Sequence, residues 1–565
     1  MAEPAYNAIE DYGLIGDMHT CALVSKGGSL DYMCWPVFDS PSVFCRLLDD
    51  KIGGVLVELF PAFNYARDTH TARAKLESDM CKHRLQTVHF ESETERLQLE
   101  IFADSREPEK NGYPHTRMTL EERPGMKFPE KAVPSSSTLA AYLGRMEDET
   151  SDYWTDWTRK CAFRGHYRET VERSLLILKL LTYKPTGAIV ASPTFSLPEN
   201  VGGSRNWDYR YSWVRDTAFT LYVFLKMGYS REAEAYVNFI FDRIFPHAGQ
   251  DMGPGSKRPF LPLMFTIRGE SDIPEVELDH LDGYKGSKPV RIGNAAVFHT
   301  QLDIYGELLD SIYLYNKHGN PITYDQWASI RRMVNYVISV RNQKDMSIWE
   351  SRGQIQNFIY SKLMLWVALD RGIRLAEKRA SLPCPDRFKW IQVRDELYDE
   401  IMEKGYNKER GHFCQSYESP EVLDASILIA PLVFFVAPND PRFISTLKRL
   451  LESPKKEGLS SAKMVFRYDH LRANDGVGGG EGAFIMVTFW LVEAMARASN
   501  FDVPIPNIWK LALSLFDNIL SYSNHLGMFS EEVAISGEQM GNTPQAFSHL
   551  ACISAAINLE KLSRE

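Results

Sequence analysis

Hydrophobic and polar positions divide the chain into two unequal parts. Beyond about residue 166, apolar residues recur at helical spacing in segments beginning near Tyr167, Arg210, Arg231, Asn294, Tyr324, Gln356, Pro385, Pro420, Asp440, Gly482, Pro506 and Thr543. That pattern predicts about twelve helices with few strands between them. Proline near the first turn, at 385, 420, 441 and 544, marks several of the starts. The helices tend to pair, one aromatic and strongly apolar, the next amphipathic; Trp366, Phe434, Phe435, Phe489 and Trp490 belong to the apolar set. Six apolar helices packed inside six amphipathic ones form an (α/α)6 barrel. A helical solenoid is the other arrangement of paired helices, and no fixed-period repeat supports it. The long Gly- and Pro-rich connections at 246–293 and 405–419 would build the mouth of a pocket.

Up to about residue 165 helical periodicity is scarce. Strand-like pieces such as Val55–Leu59 and Leu97–Phe102 occur there, with turn signals such as Lys26-Gly27-Gly28, and residues 103–140 are polar and irregular. The organisation expected is a smaller N-terminal β-rich domain over 1–140, a linker over 141–165 and the helical barrel over 166–565. A chain of 565 residues exceeds the size at which one core stops growing, so two domains are expected.

Composition narrows the partners. Lys and Arg number 64 against 74 Asp and Glu, a net charge of −10 that argues against nucleic acid or an anionic membrane, both of which need a basic surface. It fits a neutral small-molecule or oligosaccharide substrate. No apolar run approaches a membrane span, and the acidic start MAEPAYNAIEDYGLIGD lacks the apolar core of a secretory signal, so a cytoplasmic enzyme is expected. The eight cysteines are scattered without a CxxC pair, which suits buried free thiols better than disulfides or a zinc site. HExxH, GxSxG and a GxGxxG in a βαβ setting are all missing, so zinc, serine-hydrolase and nicotinamide chemistry lose ground. The aromatic richness could supply stacking platforms for sugars, but core packing is the simpler account.

Glycosidic cleavage needs one carboxylic acid to protonate the leaving oxygen and one carboxylate to activate water or attack. Glu350 lies in Ser347-Ile348-Trp349-Glu350-Ser351-Arg352-Gly353, just ahead of a strongly apolar helix. A neighbouring indole and apolar walls would desolvate the carboxyl, as a general acid requires; a surface Glu at a helix entry is the bland alternative. Glu531 lies in Met528-Phe529-Ser530-Glu531-Glu532, where a pocket-lining carboxylate competes with an ordinary surface acidic pair. The segment NWDYRYSWVRD (206–216) interleaves aromatics with Arg and Asp; it could grip sugar hydroxyls and rings, or hold a structural ion pair in an aromatic core. The run Asp475-Gly476-Val477-Gly478-Gly479-Gly480-Glu481-Gly482 lacks the ending of a phosphate loop and suits close backbone approach at a pocket rim.

Several of these segments, in order, resemble glycoside hydrolase family 15, the glucoamylases, glucodextranases and a trehalase branch. The opening Ile9–Asp17 with Gly28-Ser29-Leu30-Asp31 and Phe38-Asp39-Ser40-Pro41 resembles the N-terminal module of the trehalase-like branch. The resemblance continues through NWDYRYSWVRD, ELDHLDGYKGSKPVRIGNAA (277–296), IWESRG (348–353), YSKLMLWVALDR (360–371), GGGEGAF (478–484) and FSEE with GEQMGNTPQAFSHLA (529–551). It implies an N-terminal β-sandwich followed by an (α/α)6 barrel, with Glu350 as general acid and Glu531 as general base. It implies that Arg215 and Asp216 grip the terminal sugar, helped by Trp213, Trp349, Arg352 and the Arg291–Asn294 loop. The family inverts configuration, so the carboxyls would stand roughly 6.5–9.5 Å apart with a water between, and β-glucose would leave. No metal or organic cofactor is implied. The sandwich reads as shortened: Gly53-Gly54 runs almost directly into Val55 and Pro61–Asp68, where relatives carry more strands. The leading expectation is exo-acting hydrolysis of trehalose, malto- or isomalto-oligosaccharides. A barrel repurposed for non-hydrolytic cyclisation or rearrangement, and a non-catalytic sugar-binding protein, are the alternatives.

Overall fold

The computed structural model describes residues 6–54, 100–101, 118–119, 136–244, 260–378 and 382–562. Among them are twelve α-helices: α1 (Ser136–Thr158), α2 (Arg168–Leu180), α3 (Val214–Met227), α4 (Ser230–Ile244), α5 (Ile304–His318), α6 (Tyr324–Val340), α7 (Ile359–Lys378), α8 (Arg387–Lys404), α9 (Pro441–Leu451), α10 (Ile485–Ala498), α11 (Ile508–Leu520) and α12 (Ala546–Leu562).

Two kinds of helix pattern build the barrel. In α10 every residue but Arg497 is buried, so the helix is enclosed by others on all sides. In α8 only Trp390, Val393, Leu397 and Ile401 are buried, a single stripe at three- and four-residue spacing that covers one neighbour. Helices of the first kind close an inner ring. In that ring α3 packs on α5, α5 on α7, α10 on α12 and α12 back on α3, while the 3-10 helix Ala425–Ile429 bridges α7 and α10. Outside, α2 lies on α12, α4 on α3, α6 and α8 on α7, α11 on α10, and α9 on the strand His412–Phe413. Local signals end these elements: Thr323 and Gln326 form a reciprocal capping box at the start of α6, and Gly228, at φ 92°, closes α3. The (α/α)6 architecture read from the sequence is the one present.

The sixth inner position is the exception. The expected helix from Pro420 is a five-residue 3-10 helix followed by turns. Pro431 can donate no backbone hydrogen bond, and Phe434 takes a left-handed φ of 67°. The start expected at Asn294 likewise gives a 3-10 turn, Ala295–Phe298, before α5 begins ten residues later than Asn294, at Ile304.

Four antiparallel strands, β1 (Tyr12–Gly16), β2 (Cys21–Ser25), β3 (Leu30–Cys34) and β4 (Ser42–Cys45), pair in sequence order as a meander. The Lys26-Gly27-Gly28 turn joins β2 to β3, with Gly28 at φ 85°. The sheet buries Tyr12, Leu23 and Tyr32 against Phe195 and Leu197 of the helical part, and Tyr32 Oη donates to Pro193 O at 3.1 Å. Glu100–Ile101 pairs with Met118–Thr119; the expected strand Val55–Leu59, the segment Pro61–Asp68 and most of 103–140 lie outside the described residues. Most of the stretch expected as a linker, 141–165, is helix α1. Its last turn docks on the barrel, where Trp157 is buried, stacks on Tyr229 with centroids 4.2 Å apart and donates to Glu232 at 2.7 Å. The seven described cysteines are free and six are buried; Cys81 lies outside the described residues. No described helix is long and apolar enough to cross a membrane.

Candidate active site

A cleft opens at the N-terminal ends of the inner helices. The residues just before and within the first turns of α3, α10 and α12, and the loops before α5 and α7, line it. Short strands deliver them: Ser212–Trp213 pairs with Met264–Phe265, and Ala483–Phe484 with Glu532–Val533.

Glu350 enters from the loop ahead of α7 at φ 56°, with Ser347 at φ 65°. Two non-glycine residues in the left-handed region within four positions are strained, and such strain persists where surrounding contacts impose it. Those contacts are polar rather than the apolar wall expected. Trp213 Nε1 donates to Glu350 Oε1 at 2.7 Å and Arg215 reaches the same oxygen at 3.3 Å. The indole of Trp349 turns away and donates to Asp424 at 3.0 Å. The side chain of Glu350 is 23% exposed toward the cleft. Arg215 is itself anchored by Gln301 at 2.8 Å and Asp303 at 3.2 Å, and lies 3.6 Å from Asp216. Burial pushes Asp216 up to about 6, against the pull of Arg215.

Glu531 sits in the same cleft, 4% exposed. Tyr209 Oη donates to its Oε1 at 2.7 Å and Gln545 Nε2 at 3.5 Å. Burial and the nearby charge of Glu199 hold its carboxyl well above the usual range. The start of α12 fixes the loop that carries it: Ser548 Oγ donates to Ser530 O at 2.8 Å, and His549 Nε2 accepts from the Phe529 amide at 3.1 Å. Since Nε2 accepts, the ring proton belongs on Nδ1, facing Ser174 Oγ at 3.1 Å. Burial lowers this histidine to about 3, so it stays neutral.

Behind Glu531, carboxylate oxygens of Glu199, Glu531 and Glu532 come within 4.8 Å of one another. Arg467 pairs with Glu199 at 3.0 Å and Glu481 at 2.6 Å, and Arg205 lies 3.7 Å from Glu199. Positive charge at this cluster is thus supplied by guanidinium groups.

Of the residues singled out from the sequence, Glu350, Glu531, Trp213, Arg215, Asp216, Asn294, Trp349 and Arg352 line the cleft. Arg291 stands behind the lining, 3.5 Å from Glu275 and 3.3 Å from Glu277, with its guanidinium carbon 4.9 Å from the Trp207 ring centre. Asn294 is committed to backbone, capping Ala296 N at 2.9 Å and donating to Asp208 O at 3.3 Å. Arg352 is paired with Glu275 at 2.7 Å. The NWDYRYSWVRD segment divides between the cleft and the protein behind it. Trp207, Tyr209 and Trp213 face the cleft, whereas Asp208 and Arg210 form a buried ion pair at 2.6 Å behind it. The segment thus holds a structural ion pair on one side and presents aromatics, with Arg215 and Asp216, to the cleft on the other. The glycine-rich run meets the rim as expected, with Val477 in the lining and Gly476 packed against the Arg352 backbone. Sequence reasoning did not single out Glu199, Arg205, Tyr209, His299 and Arg467, which also line the cleft. Tyr209 lies within the aromatic segment 206–216, which was noted as a whole; the others sit in segments without distinguishing pattern.

The model of the glycosyl hydrolases family 15 matches residues 165–557. A trehalase of Thermoplasma acidophilum is 33% identical, over 95% of this chain and 98% of its own. A trehalase of Mycolicibacterium smegmatis is 33% identical, over 99% of this chain and 92% of its own. Both alignments, at 606 and 640 positions, exceed the 565 residues here, so these relatives carry insertions relative to this chain. Among solved structures, a bacterial glucoamylase complexed with acarbose superimposes with a TM-score of 0.55 at 15% identity, over 75% of this chain and 61% of its own, a likeness of fold. With a family match over most of its length and trehalases 33% identical over nearly the whole chain, the chain belongs to glycosyl hydrolase family 15 and is a glycoside hydrolase acting on α-glucosides.

Proposed function

We propose that the protein is an exo-acting, inverting hydrolase whose substrate is trehalose, with Glu350 as general acid and Glu531 as general base. The observation that carries this reading is the pairing, in one cleft, of a carboxyl open to the substrate with a buried carboxyl held by a tyrosine hydroxyl. Trp213 and Arg215 both bond Oε1 of Glu350, which leaves Oε2 to carry the proton to the glycosidic oxygen. Glu531 takes the proton of a water attacking the opposite face of the glucosyl ring, and Tyr209 Oη fixes the orientation of that carboxylate. Arg215 and Asp216 hold the terminal sugar through charge-assisted hydrogen bonds. The choice of trehalose over maltose and isomaltose is supported by the names of the relatives matched over nearly their whole length.

Proton NMR of the purified protein with trehalose, maltose, isomaltose and soluble starch tests both halves of the proposal. Trehalose is expected to be cleaved fastest and to give equal amounts of β- and α-glucose at first, β from the attacked ring and α from the departing one, whose anomeric carbon is untouched; α-glucose alone from trehalose overturns inversion, and preference for maltose overturns the substrate. Glu350→Gln and Glu531→Gln are each expected to lower turnover by about 10²–10⁴-fold; wild-type turnover in either removes that residue from its role.

A further inference from the structure

Glu531 does not stand alone as a buried acid. Within the same enclosed volume lie Glu199, 1% exposed, and Glu532, fully buried. They arrive from different parts of the chain. Glu199 follows the strand Phe195–Pro198, whereas Glu532 begins the strand Glu532–Val533, next in sequence to Glu531. Glu532 Oε2 accepts the Gly482 amide at 2.6 Å, while its Oε1 is buried with no hydrogen-bond partner. Glu199 Oε1 accepts from Trp207 Nε1 at 2.8 Å.

The charge at this place does not balance if every group ionises. The other groups facing Glu531 are Tyr209, Asp216 from α3 and Arg467. One step out, Glu481 lies 2.6 Å from Arg467 and Arg205 is shared between Glu199 and Asp475. Two guanidiniums therefore serve Glu199, Glu481, Asp475, Glu531 and Glu532, five carboxyls in all. Like charges this close in a volume shielded from water cannot all persist, and their protons leave as properties of the group rather than of single residues.

We infer that Glu199 and Glu532 are positioning residues for the general base: with Glu531 they hold a proton in common, and the charge on these two sets the pH at which Glu531 becomes ionised and competent. When the cluster gives up that proton to solvent, Glu531 is left to accept one from the attacking water, with Arg467 as counter-charge. Burial and mutual repulsion, which raise the carboxyls of all three, point the same way. The inference rests on the reading of Glu531 as base.

The test is the pH dependence of kcat/KM on trehalose for the full-length chain and its Glu199→Gln, Glu199→Asp, Glu532→Gln and Glu531→Gln variants. The acid limb is expected to move down by roughly one to two pH units in Glu199→Gln and in Glu532→Gln. In Glu199→Asp, which keeps the charge, it is expected to stay near the wild-type position. The position of the limb is the readout, not the height of the profile: a variant with lower kcat at every pH and an unmoved limb has lost only structure, and overturns the inference. Should Glu199→Gln fail to fold, Glu532→Gln, outside the cleft lining, decides by the same criterion. An inactive Glu531→Gln beside unmoved limbs sinks the shared proton alone, whereas an active Glu531→Gln sinks the base assignment first.

Discussion

At the scale of single residues, the site depends on backbone that brings polar atoms closer than side chains of ordinary size allow. Gly541, at φ 74°, passes so near the general-base candidate that a Cβ there would lie 2.8 Å from both Glu531 Cβ and Oε2. Alanine meets two penalties, a left-handed backbone and a contact with another residue's Cβ that cannot rotate away. Gly541→Ala is expected to lower kcat by about 10- to 100-fold by displacing Glu531, with KM changing less. It is also expected to lower stability by about 1 kcal/mol or more. Steady-state kinetics together with thermal unfolding check this; unchanged kcat would show that the loop shifts without moving the carboxylate. Recognising Glu350 and Glu531 among 74 acidic residues required the motifs around them, because nothing in a carboxylate's own identity marks it as catalytic. Their partners were less legible. Asn294 and Arg291 stood in the right loop, yet the structure binds both to protein groups.

Among elements, the contrast between inner and outer helices was legible because burial leaves a pattern: a mostly apolar stretch for α10, a stripe for α8. The 3-10 segment at Ala425–Ile429 was not, since its apolar composition is that of an inner helix and only Pro431 hints at the break. Helix α1 was missed because, among its described side chains, 147–153 are exposed and burial comes only at Trp157, which leaves little apolar periodicity to read. The inner helices also bury acids with a cost that depends on pH. Glu493 of α10 accepts from Asn558 Nδ2 at 2.6 Å and is raised by burial to about 7. The folded state keeps this proton up to about pH 7, while the unfolded chain releases it near the ordinary glutamate value, so stability falls as pH rises through that window. The loss amounts to roughly 3 kcal/mol when complete. Glu493→Gln, neutral at every pH, is expected to gain on the wild type progressively between about pH 4.5 and 7 and to keep that gain above it. Denaturant unfolding at several pH values measures this; a difference that does not vary with pH contradicts it.

For the molecule as a whole, the N-terminal sheet and the barrel are joined by buried polar contacts as well as apolar ones. Arg210 pairs with Asp208 at 2.6 Å, donates to Ser40 O at 2.9 Å and lies 4.4 Å from the Phe195 ring centre, so one guanidinium ties the strand behind the cleft to the loop between β3 and β4. Replacing it by methionine leaves Asp208 buried and uncompensated, which is expected to cost about 3–5 kcal/mol. A single, lower unfolding transition is expected, because the contact is shared by both parts; separate transitions for sheet and barrel would show that they unfold independently. The sequence by itself determined the helical architecture, the family and the candidate acid and base, because periodicity and contiguous motifs are local properties that survive in one dimension. Only the tertiary structure decided that Glu199, Arg467 and Glu532 surround Glu531, that Trp213 and Arg215 share one oxygen of Glu350, and that Arg291 stands behind the wall. These are contacts between residues as far apart in the chain as Glu199 and Glu531. Their geometry comes from the closure of the helical ring, which no local pattern encodes.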